Sequence, residues 1–530
     1  MATHQHQTER AGDKISLWEA TSETGELNPL RENTQADVCI VGAGIAGLSI
    51  AYTLGQAGCS VVVLDDGLVG RGMTGRTTAH LVNALDDRYY DLEKYHGAEG
   101  ARLAAESHTA AIDRIEENVR SEKIDCQFER LDGYLFEPPN ESTKSLDDEF
   151  GACVRAGLAV EKIARAPMGE FDTGPVIKFS NQAQFHPLTY LRGLATAITR
   201  EGGRIFTGSK AEEMQGGKDA HVKTIDGYTV RAGALVIATN TPVNDKYVIH
   251  TKQAPYMTYA IGLRVPRGAV TRALFWDTAQ YAGMERQLGP VPYHYVRLAD
   301  GDDGGEILIV GGEDHKTGQA EDFDARYERL EDWARLRFPA ATELAFRWSG
   351  QVMEPSDSLG YIGRNPADEE NVYIATGDSG NGMTHGTIAG ILIPDLILGH
   401  ENAWTTVYDP SRKSLRGSAD FVLENVNVAR QYADFLTGGD VASADDIQAG
   451  GGAVLRHGLH KVAAYRDESG VLHEMTAVCP HLKCIVHWNG SEKTWDCPCH
   501  GSRFDAMGHV MNGPSVHDLA PVNGDGTSNG

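Results

Sequence analysis

The sequence predicts an α/β body founded on a β-α-β unit and carrying α+β segments, followed by a small all-β domain. Three observations predict it. A strand, a run of glycines and a helix open at Ala36. Helical and strand-like segments then alternate to about residue 415, and short β segments dominate from Ala453 onward. At 530 residues the chain is too long for one ordinary core. Its 41% hydrophobic and 23% charged residues are those of a globular protein.

Residues 1–35 form a polar, turn-rich extension with Trp18 and Leu30 as apolar anchors. Asp37-Val38-Cys39-Ile40-Val41 reads as a buried strand, Gly47–Ala57 as a helix and Ser60–Leu64 as a second strand. Further on, 97–119 and Pro187–Arg200 read as helices and Ala234–Ala238 as a strand. Glu321–Phe338 carries Tyr327, Leu330, Trp333 and Leu336 at helical spacing, the pattern of a surface helix packed on one face. Val372–Ala375 is a strand leading through glycines into the helix Thr387–Leu398. That helix is apolar but contains Pro394 and Asp395, and a membrane span needs about 20 apolar residues, so it is expected in the core. Phe421–Phe435 reads as a linking helix (416–436), ahead of a terminal domain over 437–522 and a disordered tail, 523–530.

A formal charge of −26 argues against nucleic-acid binding, which needs basic surface. Met1–Glu19 lacks the apolar stretch of a secretion signal, so a cytoplasmic protein without a membrane span is expected.

Gly42-Ala43-Gly44-Ile45-Ala46-Gly47 is a G-x-G-x-x-G placed between a predicted strand and helix. The first glycine permits a tight turn, the second lets backbone approach a pyrophosphate, and the third lets helix and strand pack closely. The helix N-terminus adds N–H donors and positive dipole. Asp65 ends the next strand eighteen residues beyond Gly47, where an acid binds ribose hydroxyls, with Asp66 as its neighbour. The late turn Gly377-Asp378-Ser379-Gly380-Asn381-Gly382-Met383-Thr384 is suited to bring amides against a flavin ring or ribityl chain, or is an ordinary tight turn.

The fingerprint, the run Gly72-Met73-Thr74-Gly75-Arg76-Thr77-Thr78-Ala79-His80, the strand Val236-Ile237-Ala238-Thr239-Asn240 and the Gly377-Asp378 turn resemble the D-amino-acid oxidase/glycine oxidase superfamily over residues 36–415. The resemblance implies a Rossmann-like FAD-binding domain holding extended FAD. It also implies an α+β substrate domain from inserted segments, roughly 120–180 and 245–335. Thr74, Gly75, Arg76, Thr77 and Thr78 would then lie near the pyrophosphate or ring, and Thr239 beside the cofactor. His80 is considered for a covalent flavin link, although its register differs from that of relatives with one.

Four of the eight cysteines cluster near the end. Cys479-Pro480-His481 and Cys497-Pro498-Cys499-His500 supply two thiolates and two imidazoles, the mixed ligation of a Rieske [2Fe–2S] centre. Zinc also takes Cys₂His₂ sets, but usually with cysteines paired and histidines paired along the chain. The flanks, Cys479 through Cys484 and Trp495 through Asp505, resemble the cluster loops of Rieske proteins over 437–522. That resemblance implies Cys479, His481, Cys497 and His500 as ligands and a disulfide between Cys484 and Cys499. Lys483 stands where a glycine is usual, and Phe504 where high-potential members have a tyrosine, so a lower midpoint potential is expected.

A flavin body joined to a Rieske domain also resembles a group of bacterial FAD-dependent oxidoreductases. The likeness extends over Pro292–Arg297, Gly311–Gly318 and Trp348–Gln351. Such a pairing converts two-electron into one-electron transfer. It implies a dehydrogenase that oxidises a C–N bond of an amine or amino acid. Electrons then leave through the cluster to an external one-electron acceptor protein or a quinone. Arg297, His294, Tyr256, His315 and Lys316 are the candidates for substrate binding or flavin tuning, with Arg297 suited to clamp a carboxylate. The alternatives are a reductase fed from a carrier through the cluster, and a non-enzymatic redox sensor or shuttle. No second nucleotide fingerprint for NAD(P)H is visible.

Overall fold

The computed structural model describes residues 14–22, 27–137, 144–244, 249–278, 293–301, 304–366, 368–413, 418–458 and 460–522, with the backbone alone for 418–424. The expected tail, 523–530, lies outside the described residues, as does Pro292.

Two large sheets build the body. In the first, Thr34–Val41 lies between two parallel neighbours, Val61–Leu64 and Thr229–Ile237. Parallel strands are added outward, Arg204–Phe206 on one side and Val372–Thr376 on the other. Both faces are covered, so these strands read as continuous apolar runs: every residue of Val61–Leu64 and Val372–Thr376 is buried. The helices Ile45–Gln56 and Gly382–Leu398 pack on one face and on each other, and the second is buried through Pro394.

The second sheet has nine strands, drawn from His80–Leu81, from 129–184 and from 253–355. The later run continues past the expected limit of 335, because Leu344–Pro355 pairs antiparallel with Gln253–Val265 and forms the sheet's edge. The charged helix Phe323–Arg337 buries Tyr327, Leu330 and Ala334 against this sheet. The helix expected over 97–119 runs from Tyr89 to Glu122 with a break at Gly97.

After the helix Ser418–Gln431, two small antiparallel sheets form the terminal domain. One spans Gly452–His457, His460–Arg466 and Leu472–Thr476. The other spans His487–Asn489, Thr494–Asp496, Arg503–Asp505 and Val510–Asn512. Among the described residues no helix is long and apolar enough to cross a membrane.

Arg412 closes the body. Its guanidinium meets both Asp357 carboxylate oxygens at 2.9 and 2.7 Å, donates to the Gly360 carbonyl at 2.7 Å, and lies 4.0 Å from the centre of the Tyr361 ring. Burial opposes ionisation of Asp357, but Arg412 overrides it and holds the carboxyl below the usual carboxylate range. This contribution is therefore present above the unfolded carboxylate pKa and lost as pH falls through the folded one. Asp357→Asn leaves a buried cation unpaired and is expected to cost the body about 3–5 kcal/mol. Denaturant unfolding of the two proteins measures it, and the wild-type advantage should shrink in acid.

Candidate flavin and iron–sulfur site

A cavity opens at the carboxyl ends of the parallel strands, where ligands bind in open α/β sheets. Gly42 sits there at φ +110°, and a Cβ on it would lie 2.3 Å from the Ala238 carbonyl oxygen. Only glycine fits such a turn. Gly42, Gly44, Ile45, Ala46, Asp65, Asp66, Thr74, Arg76, Thr77, Thr78, Thr239, Asp378, Gly380, Asn381, Gly382 and Met383 all line the cavity. Gly47, Gly75, Gly377 and Thr384 stand outside its lining; the Thr384 hydroxyl instead meets His108 Nδ1 at 2.8 Å. Asp65 accepts hydrogen bonds from Ala43 N–H (2.7 Å) and Gly67 N–H (2.8 Å), which ties the glycine turn to the second strand.

The opposite wall is acidic. Asp86, Asp314, Glu354 and Asp378 line it together with Tyr293, Tyr295 and Thr258. Tyr293 donates to Asp86 at 2.5 Å, and the Thr258 and Tyr295 hydroxyls pair at 2.8 Å. Burial pushes Asp314 up to about 7 and Asp378 up to about 6. Glu354 is raised by burial and by the charge of Asp87. Asp314 Oδ1 has no hydrogen-bond partner among the described residues. The two histidines of the lining, His80 and His385, are pushed by burial down to about 3 and about 4, so neither offsets these acids as a cation near neutral pH. Arg76 is faced by Glu19 at 3.6 Å, and Lys210 lies at the far end beside Asp518 (3.8 Å).

None of the five proposed catalytic residues lines this cavity. Arg297 is buried, and its Nη1 donates to the carbonyls of Thr78, Ala79 and Phe185, while the guanidinium lies over Trp18. A group so engaged does not reach a substrate carboxylate, which removes the proposed clamp. His294 bonds Asp277 at 2.9 Å and stacks on Trp333. Burial would lower its pKa, but Asp277 and Glu313 raise it. His315 stacks on Tyr259, and burial with Arg326 nearby pushes it down to about 3. Tyr256 is buried with Lys316 Nζ 5.8 Å from its ring centre. Lys316 lines a cleft against Pro498 and Cys499 of the terminal domain.

In that domain Cys479 and Cys497 are buried with their thiols in hydrogen-bond contact. This contact, the Ser502 hydroxyl and nearby amides lower the Cys479 pKa despite burial. The His481 and His500 rings lie edge to face, 5.1 Å apart. Cys484 and Cys499 form a disulfide with Cα atoms 6.4 Å apart, joining the two loops. Lys483 adopts φ +66°, a conformation that glycine takes more easily and that explains why glycine suits this position. Phe504 is fully buried beside Trp495 in the domain core.

The two cluster loops dock on the body. His250, itself buried, packs its ring 4.8 Å from His481 and 5.8 Å from His500. Gln351 Nε2 donates to the Gly501 carbonyl at 2.8 Å, and Gln319 Nε2 to that of Pro498 at 3.2 Å. Gly501 has φ +82°, and a Cβ there would come 2.5 Å from Pro255 Cβ. Met511, Asn512, Gly513 and Ser515 complete the cavity wall near Asp65 and Lys210.

Residues 37–396 match the FAD dependent oxidoreductase family, and 439–523 match the Rieske [2Fe-2S] domain. The chain belongs to the FAD dependent oxidoreductase family. It is 29% identical over 508 residues to the Rieske 2Fe-2S iron-sulfur protein YhfW of Bacillus subtilis, covering 96% of this chain and 97% of that one. It is 28% identical to gamma-glutamylputrescine oxidoreductase of Escherichia coli, over 70% of this chain and 86% of the relative. Glycine oxidase from Geobacillus kaustophilus shares the fold, with a TM-score of 0.60 at 17% identity over 72% of this chain and 99% of that one.

The residues present fit both groups of this FAD-dependent oxidoreductase. Its glycine turn packs backbone on backbone at Gly42 and Gly47, the close turn a dinucleotide needs, and two buried thiols and two facing imidazoles come from two loops tied by a disulfide. Gly42→Ala is expected to purify with the cluster spectrum but without flavin absorbance; flavin retained at full occupancy would refute the cradle. Phe504→Tyr places a hydroxyl in the domain core and is expected to raise the cluster's midpoint potential in a redox titration.

Proposed function

We propose that this FAD-dependent oxidoreductase oxidises a cationic amine at a C–N bond and passes the electrons through its Rieske cluster to an external one-electron acceptor. The acidic wall of the cavity carries this reading. Asp86, Asp314, Glu354 and Asp378 meet in one desolvated space, and among the described residues the lining's arginine and lysine, Arg76 and Lys210, each face an acid, Glu19 and Asp518. An entering ammonium offsets the cost of ionising these acids, whereas an amino-acid carboxylate adds to it. The similarity to gamma-glutamylputrescine oxidoreductase supports the same class of donor.

When bound, FAD supplies a two-electron acceptor and the [2Fe–2S] centre a one-electron carrier. The chain's own residues prepare the amine. Asp314 Oδ1, poised at about 7, accepts the ammonium proton, because only the neutral amine gives up hydride readily from the adjoining carbon. Tyr293 holds Asp86 in place, and Tyr295 the Thr258 hydroxyl.

The sign of the pH dependence follows from the raised pKa. Below about 7 Asp314 is neutral and holds a cation poorly; above it the carboxylate is charged. Amine-dependent kcat/KM should therefore rise with pH through about 7. Asp314→Asn should flatten that rise and lower kcat/KM by about 10²-fold. An anaerobic titration that follows flavin bleaching and the EPR signal of the reduced cluster tests the whole reading. Bleaching by a cationic amine followed by growth of the cluster signal supports it. Bleaching only by amino acids or only by NAD(P)H would sink it.

A further inference from the structure

We propose that Gln351 is the contact through which an electron crosses between the flavin cavity and the cluster loop. The inference rests on the proposed function only in placing flavin and cluster in series, and holds for either direction of flow.

One side chain meets both places. Gln351 is 2% exposed and lines the flavin cavity. Its Nε2 donates to the carbonyl of Gly501, the residue directly after the cluster ligand His500, at 2.8 Å. The same nitrogen lies 3.3 Å from Thr317 Oγ1, which fixes the amide plane. The backbone N–H of Gln351 points at Met73 Sδ, 3.0 Å away, and Met73 also lines the cavity. Gln351 Oε1 is buried with no hydrogen-bond partner among the described residues. A buried amide oxygen ordinarily has a partner, so this one is open to a group bound in the cavity.

The rest of the interface agrees. His250 packs against both cluster imidazoles, so the histidine side of the cluster site faces the body. Gly501 allows the approach, since a Cβ there would lie 2.7 Å from Gln351 Nε2. The route from cavity to His500 therefore consists of one side chain, one hydrogen bond and the Gly501 backbone with the peptide bond that joins it to His500.

The transfer moves one electron and no other group. The reduced flavin loses one electron and the oxidised cluster gains it. After the cluster has passed that electron to a one-electron carrier protein or quinone, the flavin gives up its second electron the same way and releases its protons to solvent.

The test uses the holoenzyme and needs no amine substrate. The flavin is reduced by a light pulse with EDTA as sacrificial donor, and cluster reduction is followed by absorbance and EPR. The midpoint potentials of both centres are measured on the same samples, which separates driving force from coupling. Gln351→Leu keeps the volume and removes both polar atoms. With flavin and cluster fully loaded and both potentials unchanged, the flavin-to-cluster rate should fall tenfold or more. An unchanged rate would overturn the assignment. If Gln351→Leu loses either centre, Gln351→Asn, one methylene too short for Gly501, replaces it with the same two outcomes. Failure of amine turnover leaves this measurement untouched, so the two proposals stand or fall separately.

Discussion

The close seating of the cluster loop on the body is the constraint on which the rest depends. Gly501 at positive φ lies against Pro255 and Gln351, and His250 fills the space beside the imidazoles of His481 and His500. Larger side chains at Gly501 would hold the domains apart. Separation would also open the cavity, because Met511, Asn512, Gly513 and Ser515 form part of its wall. The terminal domain is thus both an electron carrier and a wall of the flavin site. The connecting helix reinforces the seating: Asn425 donates to the Thr251 carbonyl at 3.0 Å and Asn427 pairs with Gln319 at 2.8 Å. Tyr432 reaches the carbonyl of Leu482 in the first cluster loop at 2.6 Å.

The acidic wall has a cost that fits its position. Four carboxyl groups in a desolvated space repel one another if charged, and burial raises Asp314, Glu354 and Asp378 toward neutrality. Two other buried acids have matched partners: Asp357 has Arg412 and Asp496 has Arg503. The contrast separates acids that hold the fold from acids left responsive to a ligand. The surplus of acidic residues over the whole chain says nothing of this; their convergence on one cavity does.

Local signals were legible in the sequence, and signals spread over distant segments were not. The glycine fingerprint with Asp65, the two cluster loops and the Cys484–Cys499 pair each depend on short spacings or a close family likeness. The helix Pro187–Arg200 appears with the boundaries its pattern predicts. The acidic wall was missed because three of its four acids, Asp86, Asp314 and Glu354, come from unconnected stretches without a local motif. Strand parity supplied the other error. His294 and Tyr295 are adjacent on one strand and so face opposite sides: the tyrosine lines the cavity while the histidine stacks on Trp333. Asp314 and His315 divide in the same way, after an irregular pair at Gly312 and Glu313, both at positive φ. His250 had no local pattern at all; only the docking of two domains gives it a role.

The arrangement also explains why a two-electron and a one-electron centre belong in one chain. A mobile carrier would have to meet the reduced flavin twice for each substrate, and each meeting would expose the cavity to water. Here the Rieske domain is part of the wall, so on the proposed route both transfers would cross one fixed contact while the acids stay desolvated. On the proposed function, substrate entry and electron transfer would be separated in space, and the burial that raises Asp314 and Asp378 would persist through the cycle.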